Sequence, residues 1–116
     1  MVEYVEVLKT GDMNNGEMRG TSIRGKELLL AKADGKFYAA SNVCPHMGGT
    51  LAKGTLKGTV VTCPRHASQF DLQDGHVVRW TKWSGAKLAI GKLVRSPRPL
   101  KTYPVKIEGD RVLVGI

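Results

Sequence analysis

Cys44-Pro45-His46-Met47-Gly48-Gly49-Thr50-Leu51 and Cys63-Pro64-Arg65-His66 are the two stretches on which the reading of this chain turns. As a pattern they give C-x-H-x16-C-x-x-H, each half supplying one thiol and one imidazole. Pro45 and Pro64 fix φ and stiffen what read as two loop tips, and Gly48-Gly49 lets backbone pass close to a bound group. These are the only cysteines in the chain. In a reducing compartment such a pair serves a metal or a reaction rather than a structural disulfide. Two thiolates with two imidazoles hold either a lone zinc ion or an iron–sulfur cluster. The C-x-H step is tighter than usual zinc-ligand spacing.

Outward from this centre the chain reads as short strands between turn signals, an all-β pattern. Residues 2–8 are rich in β-branched and aromatic side chains, although Glu6 falls on the same face as Val2, Tyr4 and Leu8. A Gly/Asn loop over 11–16 leads to two further strands, at 18–23 and 27–33. Asp34-Gly35 is a favoured hairpin turn into a strand at 36–40. Residues 59–62 read as a buried strand, residues 70–72 resume strand character, and Asp74-Gly75 turns the chain again. A closing hairpin is expected from strands at 102–108 and 111–115 around Gly109-Asp110. Residues 79–99 read as an irregular insertion, with at most a short helical turn over 86–90 because Gly85, Gly91, Pro97 and Pro99 bound it.

With 116 residues the chain fits one domain, expected to span residues 1–116. It contains no apolar run of about eighteen residues, which argues against a membrane-spanning helix. The acidic start, with Glu3 and Glu6, does not resemble an export signal, so a cytoplasmic location is expected. Net charge is +8, and beyond residue 78 only Glu108 and Asp110 offset nine basic residues from Arg79 to Arg111. Such a face attracts acidic partners. Trp80 and Trp83 among basic residues could suggest single-stranded nucleic acid. They form one short stretch without a nucleic-acid module, so anchoring the insertion or docking an acidic protein is the better reading. His76, the third histidine, follows a turn and reads as a surface residue.

The two boxes resemble those of the Rieske family, in which two histidines replace two cysteines on one of two irons. The likeness extends from residue 28 to 70, through the Ala33–Val43 lead-in, and returns over 100–114. It implies an antiparallel, Rieske-like sandwich with a small cluster-binding subdomain made of two loops, at about residues 43–70. It also implies one [2Fe–2S] cluster per chain, with Cys44 and Cys63 on one iron and His46 and His66 on the other. Imidazoles donate less charge than thiolates, which lifts family potentials to about −150 to +300 mV, against roughly −400 mV for plant-type clusters. Gly48, Pro64, Ser68 and Phe70 would stand around the ligands. Quinol-oxidising relatives place a Ser and a Tyr after the second box and an extra cysteine in each box. This chain keeps Ser68 but has Phe70, Gly49 and Arg65 at the other places, so a potential in the lower half of the family range is expected.

The expected function is one-electron transfer between a reductase and an acceptor such as an oxygenase, with redox proteins as partners, no nucleic acid, and no substrate chemistry of its own. Two other classes stand beside it: a small subunit of a larger redox enzyme, and a zinc-binding interaction module. The ligand assignment yields a test. His66→Cys adds a thiolate's negative charge, so an assembled cluster should show a lower midpoint in redox titration, whereas an unchanged or higher midpoint would contradict it.

Overall fold

A computed structural model describes residues 3–44, 50–64, 68–79 and 99–116. Their strands are β1 (Tyr4–Lys9), β2 (Met18–Ile23), β3 (Lys26–Ala33), β4 (Lys36–Ser41), β5 (Thr55–Lys57), β6 (Val60–Thr62), β7 (Gln69–Asp71), β8 (Val77–Arg79), β9 (Thr102–Tyr103), β10 (Val105–Glu108) and β11 (Arg111–Gly115). They form three antiparallel sheets, ordered β1-β11-β10, β2-β3-β4-β9 and β5-β6-β7-β8. The all-β fold expected from the sequence is therefore observed, and the cluster-loop subdomain is built on a small sheet of its own.

The middle sheet is covered on both faces. Along β3 the run Leu28-Leu29-Leu30-Ala31 is wholly buried. Leu28 and Leu30 pack with Leu8, Ala39, Val112 and Val114 against the first sheet. Leu29 and Ala31 face the other way, with Ala40, into a core containing Leu51, Val61, Phe70, Leu72 and both cysteines. This is the period-2 alternation of a strand, read as a continuous apolar run because neither face meets water. The flanking hairpins pin its register. Arg24-Gly25 and Asp34-Gly35 have positive φ at both central residues, with values of 53° and 79°, and 51° and 78°, the turn whose twist suits a two-residue β connection.

Two departures from the sequence reading have local causes. The misfit of Glu6 is resolved by a β-bulge in β1: Glu6 pairs with Leu113 and Leu8 with Val112, leaving Val7 extra. The bulge resets the alternation, so Leu8 is buried while Glu6 stays in water, 3.2 Å from Arg111. The strand expected over 102–108 is two strands in two sheets. Thr102 and Tyr103 pair with β4, and after Pro104 the chain pairs with β11 from Val105 onward. Proline has no N–H for either ladder and a fixed φ, so the chain changes sheets there. The reading of residues 86–90, and most of the insertion at 79–99, lies outside the described residues.

The opposed packing of β3 separates two substitutions. Leu29→Ala and Leu30→Ala should each cost about 2–5 kcal/mol in urea unfolding. Only Leu29→Ala, which hollows the core shared with the cysteines, should also alter the absorption spectrum and midpoint of a bound cluster. Equal spectral effects from both would contradict this division.

Candidate metal centre

Both cysteines lie in the dry core between the middle sheet and the third sheet. Cys44 is 1% exposed, Cys63 is 2% exposed, and no disulfide joins them. Each sits at the neck of its loop, and each neck is closed. For the first loop, Val43 and Thr50 form a β-bridge. The backbone N–H of Leu51 donates to Asn42 O at 2.9 Å. The N–H of Ala52 donates to Asn42 Oδ1 at 2.8 Å. Asn42 is itself buried, so its carboxamide oxygen meets a donor that water would otherwise satisfy. For the second loop, Cys63 N–H donates to Ser68 O at 2.8 Å. Thr62 and Gln69 face each other just inside that neck, their side chains 3.2 Å apart.

The remaining site residues fall on either side of the described boundary. Ser68 and Phe70 are fully buried, and Phe70 packs in the same core as Cys44 and Cys63. Pro64 is exposed at the start of the second loop. His46, Gly48 and His66 lie outside the described residues, as do Gly49 and Arg65. Among the described residues no group of three or more Cys, His, Asp or Glu side chains comes together as a metal site. What the described part supplies is the two soft sulfur donors, brought into one water-poor core. That donor set suits iron–sulfur or zinc chemistry rather than Mg or Ca.

Charge is distributed unevenly around this centre. Residues 43–70 contain Lys53, Lys57 and Arg65 and no carboxylate. The nearest acidic residues along the chain, Asp71 and Asp74, lie toward the end of the third sheet away from the second loop, and each is occupied locally. Asp71 accepts from the Thr59 hydroxyl and from Gln73 N–H, both at 2.9 Å. Asp74 accepts from His76 N–H at 3.0 Å, and His76 Nδ1 stands 2.5 Å from the same oxygen. The backbone bond first, and then the ring, hold the Asp74 carboxyl below its ordinary value. His76 is exposed, as its turn position suggested. Near the first neck, Lys53 is exposed and Val43 is 49% exposed, a large apolar side chain in water one residue before a buried cysteine.

Two residues at the necks of these loops escaped the sequence reading. Asn42 reads as an ordinary polar residue before the first box, and its clue is only a carboxamide beside an otherwise apolar run. Gly54 reads as a strand breaker. It does end the 3-10 turn at Leu51–Lys53, but it also lies against the Thr62 carbonyl and the Pro64 ring.

Known proteins resemble this chain in sequence and in fold. The family model described as "Rieske [2Fe-2S] domain" matches residues 3–104. The ferredoxin component of the naphthalene 1,2-dioxygenase system of Pseudomonas putida is 32% identical, over 99% of this chain and 97% of its own length. The ferredoxin of carbazole 1,9a-dioxygenase from Nocardioides aromaticivorans IC177 has the same fold, with a TM-score of 0.78 at 22% identity, covering 96% of this chain and 95% of that one. A chain of the complex of reduced oxygenase and oxidized ferredoxin in carbazole 1,9a-dioxygenase matches with a TM-score of 0.76 at 24% identity, over 95% of this chain and 99% of that one. With its two cysteines buried in one core at the necks of two closed loops, this chain belongs to the Rieske [2Fe–2S] family.

Proposed function

We propose that this chain is a mobile one-electron carrier, a Rieske ferredoxin that passes electrons from a reductase to an oxygenase-type acceptor. The observation that carries the reading is the placement of Cys44 and Cys63 in a single dry core, each at the mouth of a closed loop. The ligands are Cys44 and Cys63 through sulfur and His46 and His66 through imidazole nitrogen, and the whole of residues 1–116 forms one domain, with cluster loops over 43–70 and an irregular insertion over 79–99. When bound, the [2Fe–2S] group supplies a one-electron couple whose potential is raised by the two neutral imidazoles. The chain's own residues do the rest. Leu51, Val61 and Phe70 exclude water from the cysteine side. Ser68 closes the second loop on Cys63, and Asn42 closes the first. Pro64 and Gly48 shape the loop tips beside the ligands.

A carrier that visits two proteins needs a surface that forms weak, quickly reversed complexes. The carboxylate-free stretch from 43 to 70, with exposed Lys53 and Val43, suits an acceptor presenting acidic groups around an apolar spot. The similar ferredoxins named above belong to dioxygenase systems, and in one case the ferredoxin is in complex with its oxygenase. The chain performs no substrate chemistry itself. Two thiol ligands kept out of a disulfide suit the reducing cytoplasm, where we place it. Among the described residues, no helix is long and apolar enough to cross a membrane.

Reductive titration of the purified protein should take up one electron per chain, reversibly, with a midpoint in the lower half of the Rieske range. Absence of a reversible one-electron couple would overturn the carrier reading. Lys53→Glu should slow reoxidation by an acidic oxygenase several-fold at low salt and far less at high salt, because screening over about 10 Å at 0.1 M removes the difference. Equal rates at low salt would remove Lys53 from the docking surface.

A further inference from the structure

Gly54 lies against the peptide that carries Cys63. A Cβ on Gly54 would stand 1.8 Å from Thr62 O, 3.0 Å from Thr62 C and 3.2 Å from Pro64 Cδ. Two of those atoms are backbone, so no side-chain rotation relieves the overlap. The Gly54 φ of −87° is one that any residue adopts, so contact, and not left-handed backbone, demands glycine here. The Thr62 carbonyl belongs to the same rigid peptide unit as the Cys63 N–H, and that N–H makes the 2.8 Å bond to Ser68 O closing the second loop. Moving the carbonyl off position 54 therefore tilts the plane that sets the Cys63 amide.

From Gly54 a continuous path leads to the other cysteine. Gly54 N–H donates to Leu51 O at 2.9 Å, and Leu51 N–H donates to Asn42 O at 2.9 Å. Asn42 Oδ1 takes the N–H of Ala52 at 2.8 Å. Asn42 is two residues before Cys44, and its carboxamide is confined from behind, where a Cβ on Gly20 would come within 2.9 Å of Nδ2. The middle sheet thus holds Asn42, Asn42 holds the return of the first loop, and Gly54 sets how close the second loop comes.

We propose that Gly54 is a positioning residue that sets the spacing between the two cysteine loops, with Asn42 as its anchor on the middle sheet. The magnitudes favour a large effect. Relieving the overlap demands a shift of well over 1 Å, since ordinary contact begins at 3.4 Å. A metal site holds its ligand distances to about 0.2 Å. The redox consequence rests on the electron-carrier reading; the geometric one does not.

The test compares Gly54→Ala with Gly11→Ala, whose added methyl meets nothing within 4 Å. Both are purified with whatever metal they hold, beside the wild type. Gly54→Ala should lose at least half of the bound metal, shift the EPR g values and midpoint of what remains, and speed amide exchange at least tenfold in a peptide covering residues 59–70. Gly11→Ala should match the wild type in all of these. Wild-type metal content, spectrum and exchange in Gly54→Ala would overturn the proposal. If Gly54→Ala does not fold, Asn42→Ala carries the test, because it creates no overlap. Faster exchange around both Leu51 and Cys63 supports the path, and faster exchange confined to residues 50–54 overturns it. Asn42→Asp, which keeps the acceptor for Ala52 N–H, should restore slow exchange, and failure to do so overturns the anchoring role. Zinc in place of iron and sulfide in the wild type would overturn the carrier reading and leave the exchange comparison standing.

Discussion

Between Leu28 and Ala31, strand β3 buries side chains on both of its faces, and everything that positions the metal centre is referred to that strand. Each fully buried leucine contributes about 1.5–3 kcal/mol relative to an exposed one. Three in succession fix the middle sheet against slippage, because a shift of one residue would exchange the two cores. One core joins the middle sheet to the sheet containing both ends of the described chain. The other joins it to the subdomain that carries Cys44 and Cys63. Small residues at Ala31, Ala39 and Ala40 let the layers approach, and the chain then leaves β4 through Ser41 and Asn42 directly into the first loop.

The centre combines a dry side and a charged rim. Phe70, Leu51 and Val61 surround the cysteines, so polar backbone groups there must be met by protein, and Asn42 and Ser68 meet them at the two necks. Along the chain, residues 43–70 carry lysine and arginine and no carboxylate. Among the described residues, Arg24 with Glu3, Arg19 with Glu17, and Arg111 with Glu6 and Glu108 form exposed pairs that contribute little to stability.

Much of the fold was legible in residues that act locally. Asp34-Gly35 announces its turn because two left-handed residues in succession suit few sequences, and the apolar run of β3 before it reads as a buried strand. The two boxes are local as well, since their cysteines and histidines and the spacing between them are written along the chain. What escaped the reading depends on approach in space. Nothing in Lys53-Gly54-Thr55 indicates that the Thr62 carbonyl lies where a methyl group would go. The bulge at Val7 shows in sequence only as Glu6 on the wrong face, and its cure comes from pairing with β11. Pro104 does carry a signal, since a proline cannot serve a central strand. Its meaning, a change of sheet, requires knowing that β4 and β11 both have places to pair. His46 and His66 belong to the legible part as residue types, while their setting lies outside the described residues.

The most direct test of the account is a low-temperature EPR spectrum of the chemically reduced protein. Ligation by Cys44 and Cys63 on one iron and His46 and His66 on the other predicts a rhombic spin-half signal, with an average g below that of all-cysteine [2Fe–2S] clusters. A colourless, EPR-silent protein with full zinc occupancy would contradict it, and the electron-carrier reading would fall with the ligand assignment.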